Sequence, residues 1–181
     1  MAELGGLTAR ERQLIIDEFV EQAFAGIDPD ATGARIAEGM RILPQDAPDE
    51  LQPEKAAAWA ELTGLLADGS FRDRVRQMAV TGARGQEEPR YDPAPITEHA
   101  GAAVAAGVAP DSAQAKEIVD RVVGAGATAE EKATIAGQIE TFADRRVERY
   151  WELMGVLNDR PAFPSAVPAF EWFAAALRAH A

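Results

Sequence analysis

The run TAEEKATIAGQIETFADRRVERYWELMGVL, residues 128–157, carries the clearest helical signature in the chain. Thr128 and Glu131 form a capping box: the threonine oxygen accepts from the amide three residues on, and the glutamate reaches back to the threonine amide. Stepping by three or four from Ile135 gives Ile139, Phe142, Arg146, Tyr150, Leu153 and Leu157, one face of an α-helix. Asn158 and Pro161 close it. The expectation is a single helix to about Leu157, the longest of the chain. Arg146 falls inside its apolar stripe, and a buried guanidinium needs a carboxylate or carbonyl partner. Glu98, Glu117 and Asp144 are the expected partners if the role is structural. The alternative is an arginine facing a ligand beside Tyr150, Trp151 and Met154.

The pattern repeats upstream. Thr8 and Glu11 form a second capping box ahead of Leu14, Ile15, Phe19, Ala23 and Phe24, which predicts a helix to about Gly26. A weaker helix follows over Arg35 to Leu43. Pro44, Pro48 and Pro53 mark a polar loop, with Pro53 suited to a first helical position. Trp59, Leu62, Leu65 and Leu66 stripe a third helix, ending at Asp68-Gly69-Ser70. A fourth carries Phe71, Val75, Met78 and Ala79. Gly82 to Pro95 is the one linker-like segment. Beyond it come a helix from Pro95 to Gly107, a helix capped by Asp111 or Ser112, and a last helix with Val167, Phe170, Phe173 and Leu177. Val122-Val123 would also suit a strand, but the capped start favours helix. The 181 residues include 38 alanines, the best helix former, and only 7% are aromatic. The fold expected is all-α, about eight helices in two lobes, 1–88 and 89–181, with little or no β.

Thirty acidic against eighteen basic residues give a net charge of −12. Nucleic-acid affinity depends on basic side chains replacing counterions at phosphates, so DNA contact would need a separate basic module. The chain has no cysteine, which removes disulfides and thiolate chemistry. No apolar run approaches the roughly 20 residues that span a bilayer. Met1 to Gly6 lacks the basic and apolar regions of a signal peptide. A cytoplasmic protein without membrane contact is expected. The two histidines, His99 and His180, are far apart, with His180 expected to fray at the end. Neither stands in a metal-ligand spacing, and no phosphate loop or nucleophile elbow occurs. No enzyme activity, metal or cofactor is expected.

The residues best suited to a small-molecule pocket are the aromatics and their neighbours. Aromatic walls with a few placed polar groups are the usual composition of such sites. The expected ligand-binding set is Trp59, Met78, His99, Phe142, Arg146, Tyr150, Trp151, Met154 and Trp172. For each there is a plainer role: tryptophans as core or interface bulk, Met78 as gap-filler, His99 as a surface or hydrogen-bonded histidine.

In order along the chain, Leu7-Thr8-Ala9-Arg10-Glu11-Arg12 leading to Ile16-Asp17-Glu18-Phe19, Trp59-Ala60-Glu61-Leu62, Phe71-Arg72-Asp73-Arg74-Val75-Arg76 and Gly107-Val108-Ala109-Pro110-Asp111-Ser112 resemble MerR-family transcriptional regulators beyond their coiled coil. Asp144-Arg145-Arg146-Val147-Glu148-Arg149-Tyr150-Trp151 and Val167-Pro168-Ala169-Phe170-Glu171-Trp172 continue the likeness. The chain is similar to the C-terminal effector domain of the drug-sensing, TipA-like antibiotic-recognition branch. The resemblance implies an all-helical domain folding around a hydrophobic small molecule or antibiotic, held non-covalently because there is no thiol. It implies DNA contact only through an N-terminal helix-turn-helix absent from this chain, and allows a homodimer. The alternative implied is a stand-alone resistance protein that sequesters an antibiotic.

Overall fold

The computed structural model describes residues 6–31, 34–84 and 92–181. Among them are nine helices and no strand, in agreement with the all-α expectation. They are α1 (Ala9–Ala23), α2 (Ala34–Met40), α3 (Pro53–Ala67), α4 (Gly69–Arg84), α5, α6 (Ala113–Val123), α7 (Ala129–Phe142), α8 (Arg145–Leu157) and α9 (Val167–Ala179). The fifth, α5, runs through Pro93–Pro95, a π-helical turn Ile96–Ala100 and Gly101–Ala106.

Local chemistry sets most boundaries. Both capping boxes form: Glu11 N donates to Thr8 Oγ1 at 3.2 Å and Thr8 N to Glu11 Oε2 at 2.7 Å, with the matching pair at Thr128 and Glu131 at 3.1 and 2.8 Å. Ser112, rather than Asp111, caps α6 by accepting from Ala115 N at 3.2 Å. Gly107 ends α5 with φ 71, the left-handed region that a residue without Cβ adopts freely. Of the expected linker, Gly82 belongs to α4 and Pro93 and Pro95 open α5. Gly85 and Pro89 lie outside the described residues, as do Met1 to Gly5.

The expected helix 128–157 is two helices. Ala143 leaves the helical region with φ −90 and ψ 76, and α8 restarts at Arg145. The chain forms two compact units, Met1–Gln86 with Arg146–Phe163, and Glu87–Arg145 with Pro164–Ala181. A sequential cut at residue 88 does not anticipate the return of residues 146–163 to the first unit. The physical reason is the burial of one face of α8: Tyr150, Leu153, Met154 and Leu157 join the core built by α1, α3 and α4.

In the first unit that core includes Ile16, Phe19 and Val20 of α1, Trp59 and Leu62 of α3, and Phe71 and Val75 of α4. The buried face of α1 runs through Arg12, Ile16, Phe19, Val20 and Ala23. Leu14, expected on the stripe, is 58% exposed. Rings of Phe19, Phe71 and Tyr150 stack at 5.7 to 6.4 Å between centroids. Tyr150 is fully buried and its hydroxyl donates to the Met40 carbonyl at 2.6 Å. Met40 is the last residue of α2, and such terminal carbonyls lack a partner within their helix. The next two carbonyls are met in the same way: Gln13 Nε2 donates to Arg41 O at 2.7 Å and Asn158 Nδ2 to Ile42 O at 2.9 Å. Desolvation raises the Tyr150 phenol well above its ordinary range, so it remains a donor.

In the second unit α9 packs against α5, α6 and α7 around Phe173, Leu177, Ile139, Ile96 and Val119. Trp172 Nε1 donates to Val108 O at 2.7 Å. The His180 ring is hydrogen-bonded to Pro110 O at 3.1 Å, and its carbonyl accepts from Lys132 Nζ at 2.8 Å. The expected frayed histidine is therefore fixed.

Tyr150→Phe should cost about 1–3 kcal/mol, because it leaves the buried Met40 carbonyl without its donor. Tyr150→Ala should cost about 3–5 kcal/mol through the cavity it opens. Urea unfolding followed by far-ultraviolet circular dichroism reads both. A Tyr150→Phe midpoint equal to wild type would deny the hydrogen bond its role.

Candidate functional site

The expected site residues divide between the two units. Trp59, Met78, Arg146, Tyr150, Trp151 and Met154 belong to the first, and His99, Phe142 and Trp172 to the second. Tyr150 and Met154 are core residues of the first unit and Trp172 of the second. Met78 is half-buried on α4, and Phe142 is exposed at the end of α7. Trp151 stands edge-on to Tyr150 at 5.8 Å, with its ring edge 3.4 Å from where a Cβ on Gly39 would lie. The missing side chain at Gly39 thus lets the indole lie close over α2.

Arg146 is half-exposed, not enclosed in an apolar stripe. Its Nη1 donates to Ser70 Oγ at 2.7 Å and lies 3.5 Å from Asp68 Oδ2, while its Cζ sits 5.9 Å from the Phe71 ring centroid. Asp68 is a carboxylate that the sequence reading did not name as its partner. The break before α8 explains this, since it carries Arg146 to the junction of α3 and α4. Ser70 donates to Asp68 through both Oγ and N, and these bonds, with a smaller contribution from Arg146, hold the Asp68 carboxyl below its ordinary range. One turn on, Arg149 grips Glu61 with Nε and Nη2 at 2.7 and 2.8 Å and reaches Glu152 at 2.9 Å. Those bonds push its guanidinium further up.

The best-formed cavity described in the first unit lies elsewhere, against Trp59. It measures about 300 Å³ and is lined by Ala9 and Arg12 of α1, the 43–52 segment, Lys55 and Trp59 of α3, and Leu157 with Asp159. Apolar walls come from Leu43, Pro44, Ala47, Pro48, Leu51, Trp59 and Leu157. Its volume is at the lower end of the range for small-molecule sites. Lys55 Nζ pairs with Asp159 Oδ2 at 2.8 Å. Asp159 takes φ 54, the left-handed conformation that a short polar side chain tolerates best. This ion pair is also in the wall of an open groove of about 720 Å³, lined among others by Arg149, Glu152, Arg160 and Phe163.

Two polar groups of the cavity wall are distinctive. Arg12 is 4% exposed, and its Nη2 donates to the carbonyls of Leu7, Pro48 and Asp49 at 2.7, 3.0 and 2.6 Å. Its Nε has no hydrogen-bond partner, and among the described residues no carboxylate lies within 4.0 Å of it. Trp59 is 1% exposed, and its Nε1 is likewise buried without a partner. Both nitrogens are closed off from solvent, so it is the remainder of each side chain that lines the cavity.

Of the expected set, Trp59 alone lines this cavity. The sequence reading does not single out Arg12, Lys55 or Asp159. A signal for Arg12 exists, since it stands one helical turn before Ile16, in line with the buried face of α1. In the second unit His99, on the π-helical turn, borders an open groove of about 310 Å³ with Val108, Glu117, Ile118 and Arg121. Among the described residues, no group of three His, Asp or Glu side chains is placed to hold a metal ion, and no helix is long and apolar enough to cross a membrane.

Comparison of the chain with family models, curated proteins and solved structures finds no match.

The Asp68 cluster predicts a pH effect. A carboxyl whose folded pKa is lowered stabilises the fold above its unfolded value, near 3.9, and loses that stabilisation as pH falls through the folded value. Carboxyl-carbon NMR titration should place wild-type Asp68 below the ordinary range, and Ser70→Ala should move it upward. An unchanged midpoint would show that Ser70 does not hold it.

Proposed function

We propose that the first unit binds an amphipathic small molecule non-covalently in the cavity against Trp59, and that no chemistry is performed on it. The observation that carries this reading is the cavity of about 300 Å³ itself, walled largely by apolar side chains, Leu43, Leu51, Trp59 and Leu157 among them, with Arg12 and Lys55 as polar neighbours. A ligand with an apolar body and a polar end would fill that space.

In this reading the binding is a signal, and the chain is the effector domain of a MerR-like regulator acting in the cytoplasm. The support for that role is the likeness of the stretches from Leu7 to Phe19 and from Asp144 to Trp151, among others, to TipA-like domains. A net charge of −12 accords with DNA contact being left to a separate basic module, which would also supply the dimer. The walls come from α1, the 43–52 segment, α3 and the end of α8. A ligand touching all four favours whichever arrangement of them it binds best, and its differential affinity sets the size of the shift. A protein that sequesters an antibiotic would use the same cavity without any DNA-binding partner.

A thermal-shift screen against hydrophobic antibiotics and aromatic acids tests the binding role. A ligand at one hundred times its dissociation constant should add about 2.7 kcal/mol, a shift of several degrees. The shift should fall sharply in Leu51→Trp, which fills the cavity, and should persist in Trp151→Ala. Equal shifts in wild type and Leu51→Trp would move the ligand out of this cavity.

A further inference from the structure

We infer that the Trp59 cavity and the groove beside it are two compartments of one site, which takes a free, elongated amphipath with an apolar tail and a zwitterionic head. This rests on the binding role proposed above and adds to it the shape and polarity of the ligand.

The two spaces have wall residues in common. Lys55 and Asp159 line both the cavity of about 300 Å³ and the groove of about 720 Å³, and their ion pair closes at 2.8 Å. Such a divider opens at little cost, because the Asp159 side chain is 76% exposed and solvated ion pairs contribute little to stability. Its place in the chain is also unusual. Asp159 N donates to Val156 O at 3.3 Å and Arg160 N to Gly155 O at 2.8 Å, the bonding that ends a helix on a left-handed residue. Glycine is the residue that such backbone favours. Among the described residues Asp159 is the one non-glycine with a positive φ, and the carboxylate it gives Lys55 is what a glycine would lack.

The lining differs on the two sides of this pair. Leu43, Leu51, Trp59 and Leu157 suit the cavity to an apolar tail. The groove is charged. Arg149 is committed to Glu61 and Glu152, and Lys55 to Asp159. Glu54 of α3 and Arg160 after α8 complete its charges, and neither has an ion pair among the described residues. A head of one sign would attract one of them and meet the other as a like charge. A head carrying both signs answers each.

The test titrates octylphosphocholine, octanoate, octyltrimethylammonium and octanol into the full chain, each below its micelle-forming concentration, by calorimetry and NMR. Octylphosphocholine should bind at least tenfold tighter than octanol and at least threefold tighter than either single-sign ion. It should move the Leu51 and Leu157 methyl resonances of the cavity together with the Gly155 and Arg160 amides of the groove. Octanol should move the methyls alone. A Cβ at Gly155 would meet Arg160 Cβ at 4.0 Å and nothing nearer, so Gly155→Leu has room to project into the groove. It should weaken octylphosphocholine fivefold or more and leave octanol unchanged, whereas Leu51→Trp should weaken both. If Leu51→Trp loses its helical circular dichroism, the wild-type resonances decide the matter. Asp159→Gly should speed octylphosphocholine association threefold or more in stopped-flow tryptophan fluorescence, and an unchanged rate would deny the ion pair its place as divider. Still groove amides with a silent Gly155→Leu would confine the ligand to the cavity, overturning the shared site and leaving the binding role standing. Equal or tighter binding of a single-sign ion would overturn the zwitterionic head, and co-sedimentation with phosphatidylcholine vesicles would overturn the free molecule. No saturable binding of any of the four would overturn the shared site, while the thermal-shift screen with Leu51→Trp decides the binding role separately.

Discussion

The hydroxyl of Tyr150, donating to the carbonyl that ends α2, is the contact on which the first unit turns. It joins residues 110 positions apart and lies wholly inside the core. A short helix of seven residues cannot hold itself in water, because its nucleation cost exceeds what so few internal bonds return. Here α2 is held from outside. Tyr150, Gln13 and Asn158 satisfy three successive carbonyls at its exit, and Trp151 covers it where Gly39 leaves room. These partners come from α1 and from the segment that returns from the second unit. That return is therefore a structural requirement of the first unit rather than an embellishment of its surface.

The cavity follows from the same arrangement. Once α2 is fixed, the chain leaving it must cross from Leu43 to Pro53 over the start of α1. Arg12 holds this crossing by its backbone carbonyls at Pro48 and Asp49. A guanidinium suits that task because its several donors lie in one rigid plane. The same side chain forms part of the cavity wall beside the 43–52 segment, while its Nε stays buried without a partner.

The second unit shows a quieter version of this logic. Trp172 and His180, both from the last stretch of chain, hydrogen-bond to the carbonyls of Val108 and Pro110 in the turn after α5. Lys132 then ties α7 to the chain end. Trp172, His180 and Lys132 each meet a backbone carbonyl, whereas Asp120 Oδ1 and Gln138 Oε1 are buried without a partner. The π-helical turn carrying His99 is the exception in backbone geometry, yet its side chain borders an open groove.

The all-α class was legible in the sequence itself, because capping boxes, proline positions and apolar spacing act over three or four residues. Thr8, Ser112, Thr128 and Pro53 each mark a helix start that the structure realises. The break at Ala143 was not legible. Ala143 and Asp144 are compatible with a continuous helix, and the stripe from Ile135 to Leu157 keeps its period across them. Only tertiary structure decided it, because the faces on either side of the break bury against different cores. The same cause relocated the candidate site. Aromatic residues drew notice by type, but Tyr150 and Trp172 spend their polar atoms on backbone carbonyls. Arg12 Nε and Trp59 Nε1 find no partner, while Arg12 Nη2 bonds to backbone carbonyls 36 and 37 positions away. Helix formation is a local property of the chain. Polar satisfaction is a property of the assembled fold.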